Sequence, residues 1–207
     1  KISEKEKKSI AEVIKEVETK TSGEIVPVIL SQSDFYPAAH FRLALIMGIV
    51  FSIICYYNYD FDDPIVLIWG QFPGMLLGYA LAYIPFVKRL LTTATEMQEE
   101  VYQRALEVFY ENKVSMTRDR TGIMIFISLL ERKVEVLADC GINEKVDKNY
   151  WNELVQDLAM DISKGNRVEG LIKAIEKCGK SLADFFPIKE DDTNEISDQL
   201  ITDLKEK

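Results

Sequence analysis

The chain has a single histidine and three cysteines among its 207 residues. Cys55, Cys140 and Cys178 share no C-x-x-C spacing and His40 is the only imidazole, so a four-ligand zinc site lacks its donors. Cysteines without paired spacing offer no disulfide framework either. Basic residues are outnumbered, with 25 Lys and Arg against 34 Asp and Glu and a formal charge of -9. That balance removes the counterion release that drives nucleic-acid binding, and no basic run interleaved with aromatics occurs, so no nucleic acid is expected as a partner. Nucleophile motifs are missing too. There is no G-x-S-x-G and no Walker lysine behind a glycine loop, and a Cys-x5-Arg phosphate loop from Cys140 would need arginine where Val146 stands. The dense charge of Lys1 to Glu18 does not read as a secretory signal.

Charge is itself missing from one region. Leu43 to Tyr59 is 17 residues without a charged side chain and Pro64 to Val87 is 24, separated by Asp60, Asp62 and Asp63. At about 1.5 Å per residue these make helices of roughly 26 and 36 Å, against a hydrocarbon core of about 30 Å. A two-helix transmembrane hairpin is the expectation, with Arg42 snorkelling at one end and Tyr56, Tyr57 and Tyr59 forming an aromatic belt at the other. Arg42 precedes the first span, Lys88 and Arg89 follow the second, and the loop carries only acids. The positive-inside rule then makes the chain a multi-pass protein of the inner (cytoplasmic) membrane, with both termini and the α/β domain cytoplasmic. Gly70, Gly74, Gly78 and Ala82 form a four-residue repeat on the second span, answered by Ala44, Gly48 and Ser52 on the first. Such small-residue faces let helix backbones approach closely, either within the hairpin or against a partner helix. Pro73 and Pro85 are expected to kink the second span. His40, beside the first span, reads as interfacial.

The remaining sequence alternates helix and strand patterns. A capping box, Ser3 with Glu6, opens a helix carrying Ile10, Val13, Ile14 and Val17, and Thr21-Ser22-Gly23 ends it. Glu24 to Ser31 reads as a strand in which Pro27 is tolerable only at an edge or irregularity. Beyond the hairpin a helix is expected from Thr95, capped through Gln98. Ile123 to Leu129 reads as a buried strand, and Val134 to Ala138 as its antiparallel partner. Two helices follow, one carrying Trp151, Leu154, Val155, Leu158 and Ile162, the other running from Val168 to Phe186 before Pro187. One helix and one strand cannot bury a core alone, so the first strand is expected to join the later sheet. The organisation is thus a discontinuous α/β domain, 1–37 and 90–187, a hairpin over 38–89 and an acidic tail over 188–207. Ile196, Leu200, Ile201 and Leu204 suggest an amphipathic helix in that tail, covering the domain or contacting a partner.

Two segments carry a family resemblance: Thr117-Arg118-Asp119-Arg120-Thr121-Gly122 leading into Ile123 to Ser128, and Glu131-Arg132-Lys133-Val134 through Asp139 to Gly141-Ile142. They resemble the TPM domain, and in particular its bacterial membrane branch, whose opening segment is similar to Thr21-Ser22-Gly23-Glu24-Ile25-Val26-Pro27-Val28. The resemblance implies a TPM-type α/β sandwich, a central sheet flanked by helices, with a transmembrane pair inserted after the first strand. Related domains are linked to acid phosphatase activity, photosystem maintenance and modulation of a membrane receptor. The phosphatase-linked members would place a divalent cation, Ca or Mg, on Asp119, Asp139 and Asp147. Here the family's glycine-rich turn is replaced by Ala138-Asp139-Cys140-Gly141-Ile142, and Arg118 and Arg120 flank Asp119, where they could neutralise it. Asp34 and Glu144 are further candidate acids. No catalytic residue is assigned and no cofactor is required. The expected function is a membrane-anchored accessory or assembly subunit of a larger membrane-protein complex, acting through protein–protein interaction. The alternative is a membrane-tethered, metal-dependent phosphatase.

Overall fold

The computed structural model describes residues 2–58 and 65–204, in two compact units. One is Lys1–Ser33 with Glu100–Lys207, the other Asp34–Glu99.

The first unit is built around a four-stranded sheet of order β3-β2-β1-β4. Its strands are β1 (Glu24–Leu30), β2 (Gly122–Ser128), β3 (Lys133–Ala138) and β4 (Ile201–Thr202). β1 runs parallel to β2 in the register Glu24 to Gly122 through Leu30 to Ser128, while β2 and β3 are antiparallel. About ninety residues separate β1 from β2 in sequence, yet both are buried along their whole length. Alternate residues of each strand serve opposite faces. Ile25, Ile29, Ile123, Ile125 and Ile127 pack with helices α1 (Glu4–Glu18), α7 (Lys148–Ser163) and α8 (Arg167–Phe185), through Ile10, Ile14, Leu154, Leu158, Leu171 and Ile175. Val26, Val28, Met124 and Phe126 pack on the other face against Val101, Ala105, Val108 and Phe109 of α5 (Ala94–Glu111). The result is a three-layer α/β domain.

Pro27 shows how the sheet tolerates a residue without an N–H. The Glu24 N–H donates to the Thr121 carbonyl at 3.2 Å, toward β2, and the Ile25 N–H donates the other way to Glu18 Oε1 at 2.9 Å. Because strand N–H groups alternate in side, position 27 faces away from β2. β4 pairs only with Val28 and Ile29, so no ladder bond is lost there. The tail departs from the helix expected of it. Ile201–Thr202 is a strand parallel to β1, held by Asp203, which accepts from the Ser31 N–H at 2.7 Å and the Ser31 hydroxyl at 2.5 Å. An otherwise open strand edge offers backbone bonds that a four-residue apolar pattern cannot match.

The second unit holds α2 (Pro37–Asn58), α3 (Ile65–Leu81) and α4 (Pro85–Leu91). α2 is long and apolar enough to cross a membrane. The second apolar run is not one continuous helix: the axis of Leu67–Leu81 is bent by 107° from that of Pro85–Leu91. Pro85 is the cause, because it cannot donate to a carbonyl one turn back and its ring forces Ile84 into extended backbone (φ -69°, ψ 121°). Pro73 sits inside α3 without ending it. The helix start expected at Thr95 lies one residue earlier. Thr93 and Glu96 form the capping pair, with the Thr93 N–H donating to Glu96 Oε2 at 2.9 Å and the Glu96 N–H to the Thr93 hydroxyl at 3.2 Å. The acidic loop residues Asp60, Asp62 and Asp63, and Tyr59, lie outside the described residues.

Candidate functional site

The Thr117–Gly122 and Thr21–Gly23 motifs meet where β1 and β2 begin. The Thr121 hydroxyl donates to the Ser22 carbonyl (2.9 Å), its N–H to the Thr117 hydroxyl (2.9 Å), and the Thr21 hydroxyl to the Phe186 carbonyl (2.7 Å). These side chains join the parallel strands at one end and anchor the end of α8 to them. Gly122 has no alternative, since a Cβ there would collide with the Val114 carbonyl. A Cβ on Gly141 would lie 2.7 Å from the Arg120 carbonyl and 2.9 Å from that of Asp119, so the turn after β3 presses directly on the motif's backbone.

Around this junction the candidate acids are placed as follows. Asp119 pairs with Lys189 at 2.7 Å and more loosely with Arg118 at 3.8 Å. The Lys189 hydrogen bond, then the two positive charges, hold its carboxyl below the usual range. Arg118 reaches away to Asp191 at 3.0 Å. Asp139 is almost fully buried and caps the short helix α6 (Cys140–Asn143), accepting from the Cys140 N–H at 2.7 Å. Arg120 grips the same carboxylate, with Nη2 2.9 Å from Oδ1 and Nε 2.9 Å from Oδ2. Arg120 therefore serves Asp139, the acid across the sheet end, rather than its neighbour Asp119. Asp147 caps α7 by accepting from the Asn149 N–H at 2.7 Å. Glu144 is the exposed last cap of α6, and Asp34, in the other unit, accepts from the Tyr36 N–H at 2.7 Å. Among the described residues no group of three or more His, Cys, Asp or Glu is placed to hold a metal ion. As arranged, these carboxylates act as caps and ion-pair partners.

Sequence reasoning passed over a second acidic group. Glu18, at the end of α1, is partly buried against β1, and burial pushes its carboxyl up to about 8. The charges of Glu24 and Asp198 and a hydrogen bond with the Asp198 carboxyl push the same way, against the Ile25 N–H. Glu24, raised chiefly by burial, accepts from the tail N–H groups of Glu195 (3.1 Å) and Ile196 (3.3 Å). A carboxylate at the close of a helix, against the macrodipole, was the available sequence signal.

In the other unit the two small-residue stripes face each other. A Cβ on Gly74 would collide with the Met47 carbonyl, one on Gly78 would lie 2.5 Å from the Leu43 carbonyl and 2.9 Å from the Ala44 Cα, and Gly70 lies over Ser52. The Ser52 hydroxyl donates to the Leu67 carbonyl at 2.8 Å. Ala44, Gly48, Ser52, Gly74, Gly78 and Ala82 are buried. His40 is buried between the rings of Tyr79 (5.0 Å between centroids) and Tyr83 (4.6 Å). Arg42 donates to the Leu91 carbonyl (2.8 Å) and grips Glu96 with two bonds (2.9 and 2.7 Å). The arginine expected to reach for the interface is thus tied to the start of α5.

Helices on both faces of a mixed sheet, with β1 supplied from far upstream, define an α/β sandwich of the TPM type. Residues 87–181 match the family model described as TPM domain. Among solved structures it is similar to the BA42 protein from the psychrophilic bacterium Bizionia argentinensis, determined by NMR, at 21% identity over 97% of this chain and 94% of that one, with a TM-score of 0.60. That likeness speaks to the fold. No curated protein matches the sequence.

Proposed function

We propose that this protein is a membrane-anchored accessory or assembly subunit of a larger membrane-protein complex, working through protein–protein contact. One observation carries the reading: the hairpin is inside out. Its small residues are used up between α2 and α3, while Trp69, Phe72 and Leu76 are 67%, 60% and 74% exposed. In water each large apolar side chain left outside forgoes about 1.5–3 kcal/mol, so a surface of this kind suits lipid or another apolar helix. α2 spans roughly 33 Å and α3 roughly 26 Å at 1.5 Å per residue, which brackets a bilayer core. α4, bent away, carries Arg89 beside the exposed Phe86 and Leu90, a composition fit for the headgroup level. The cations Arg42, Lys88 and Arg89 flanking the apolar runs in sequence favour a cytoplasmic side for the α/β domain and both termini.

The engaged carboxylates support a binding role for the α/β domain over a hydrolytic one. Purification in mild detergent tests the proposal. A stoichiometric partner is expected, lost on Trp69→Ala/Phe72→Ala/Leu76→Ala while the chain stays in carbonate-washed membranes. A chain that purifies alone, and cleaves p-nitrophenyl phosphate with a cation dependence removed by Asp119→Ala or Asp147→Ala, would establish the phosphatase alternative instead.

A further inference from the structure

The end of the sheet opposite the motif junction holds a cavity of about 450 Å³. It lies where β2 turns into β3, between the last turn of α7 and the first residue of α8. Its rim carries Arg132, Lys133 and Arg167, and its wall is apolar, with Leu129, Val134 and Ile162. The volume falls within the range of small-molecule sites, and so does the mixture of an apolar wall with a few convergent polar groups.

Two of these cations, Arg132 and Arg167, are distinctive because of what they do not touch. In a chain with 34 acids and 25 bases, Arg118, Arg120, Arg42 and Lys189 each hold a carboxylate. The guanidinium groups of Arg132 and Arg167 make no hydrogen bond or ion pair among the described residues. Arg132 also stands at φ 56° in the β2–β3 turn, a left-handed conformation that costs a non-glycine residue about 1 kcal/mol. Arg167 is the first residue of α8, whose N-cap, Asn166, supplies no side-chain bond. The leading N–H groups of that helix therefore add positive potential beside the guanidinium.

The negative groups nearby are limited in reach. Glu131 is buried, with its carboxylate accepting from the Ser33 N–H at 2.9 Å and from the Ser128 hydroxyl. Glu169, in the first turn of α8, is exposed. The Ser163 hydroxyl donates to the Met160 carbonyl at 2.7 Å and is not available as a donor. What the cavity offers a ligand is two planar guanidinium forks over an apolar wall. Guanidinium forks match phosphate oxygens in pairs.

We infer that this cavity binds a phosphomonoester bearing an apolar group, its phosphate on Arg132 and Arg167 and its apolar part against Leu129, Val134 and Ile162. The same chemistry is presented by a small organic phosphate and by phosphatidic acid. The site is separate from the acids at the other end of β2, roughly 20 Å away along a strand rising about 3.3 Å per residue, and it does not depend on the membrane-subunit reading.

The test uses the intact chain in a neutral detergent, titrated calorimetrically with phenyl phosphate, with inorganic phosphate and with dioctanoyl phosphatidic acid. Saturable binding of phenyl phosphate, at least tenfold tighter than that of inorganic phosphate, is expected. Arg132→Gln and Arg167→Gln should each weaken it tenfold or more, and Lys20→Gln, outside the cavity, should not. These are surface changes, so unaltered melting of each variant certifies its fold. Saturation by the lipid alone, with the same arginine dependence, would assign the lipid as the ligand source. Absence of saturable binding by either, or binding indifferent to both arginine variants, overturns the inference.

Discussion

Replacing Glu18 by Gln should change how the protein's stability depends on pH, and the direction follows from where its proton resides. In the folded chain the carboxyl is raised to about 8 by burial, with the Glu24 and Asp198 charges adding to it. Unfolded, it returns to the ordinary value near 4.5. Between those two values the folded state holds a proton that the unfolded state has released. Stability therefore falls as pH rises from 4.5 toward 8, and the decline ends once the folded group has ionised. A displacement of that size corresponds to something on the order of 5 kcal/mol between the two protonation states, reduced by the partial exposure of the group. Glutamine keeps the geometry without the titration: its carbonyl can accept from the Ile25 N–H and its amide can donate to Asp198. At pH 5 the variant and wild type should unfold together. At pH 8.5 Glu18→Gln should be the more stable by about 2–4 kcal/mol, with Glu24, also raised, leaving a residual slope in both. Denaturant unfolding across pH 5 to 9, followed by Trp151 fluorescence in a Trp69→Phe background, reads this directly. Parallel pH profiles for the two proteins would refute the reasoning.

Three further outcomes are expected. Gly78→Leu should loosen the hairpin by about 1–3 kcal/mol, because the added carbon meets the Leu43 carbonyl and the Ala44 Cα, which are backbone and cannot move aside; unchanged detergent melting would contradict the packing. Gly141→Ala should destabilise the α/β domain through the Arg120 and Asp119 carbonyls by a similar amount, whereas Cys140→Ala next to it should be nearly silent in the same melting experiment. Glu96 is held at about 2 by its hydrogen bonds from Arg42 and the Thr93 N–H, so its contribution is present above the ordinary carboxylate value of 4.5 and is lost as pH falls toward 2. Acid melting of Glu96→Gln should accordingly lack the wild-type drop in that window.

Much of the fold was legible because burial writes itself into periodicity. Ile123 to Leu129 and Glu24 to Ser31 read as strands since both faces of the segments that form β2 and β1 are covered, and the helices of the α/β domain announced themselves through caps and spacing. What failed to read was set by contacts distant in sequence. The tail's Ile201 and Leu204 fit a helix stripe, but an open edge of β1 and the Ser31 groups claimed that segment as strand. The cap at Thr93 was displaced from Thr95 because Glu96 answers both its own helix end and Arg42, 54 residues upstream. The candidate site divided the same way. The positions of Asp119, Asp139 and Asp147 at element ends were visible, whereas the partner of each was not. Which cation reaches which acid depends on the turn at Arg120, whose backbone stands at φ 58°, and on a lysine 70 residues away.

The hairpin carries the widest consequence of this division. Small residues at four-residue spacing are compatible with two arrangements that sequence cannot separate, a hairpin closed on itself or a face held open for another helix. Here both stripes are spent on one contact, with backbone against backbone at Gly74 and Gly78. A partner helix could not use that face without first prising α2 from α3. On the proposed membrane reading, recognition falls to the large residues outside, Leu45, Ile49 and Ile53 of α2 or Trp69, Phe72 and Leu76 of α3, all at least half exposed. Such a surface binds by shape and by the fit of aromatic rings, with little to distinguish a partner helix from lipid except complementarity. Specificity would rest on the α/β domain, where Arg and Lys side chains offer directional bonds that a bilayer interior does not supply.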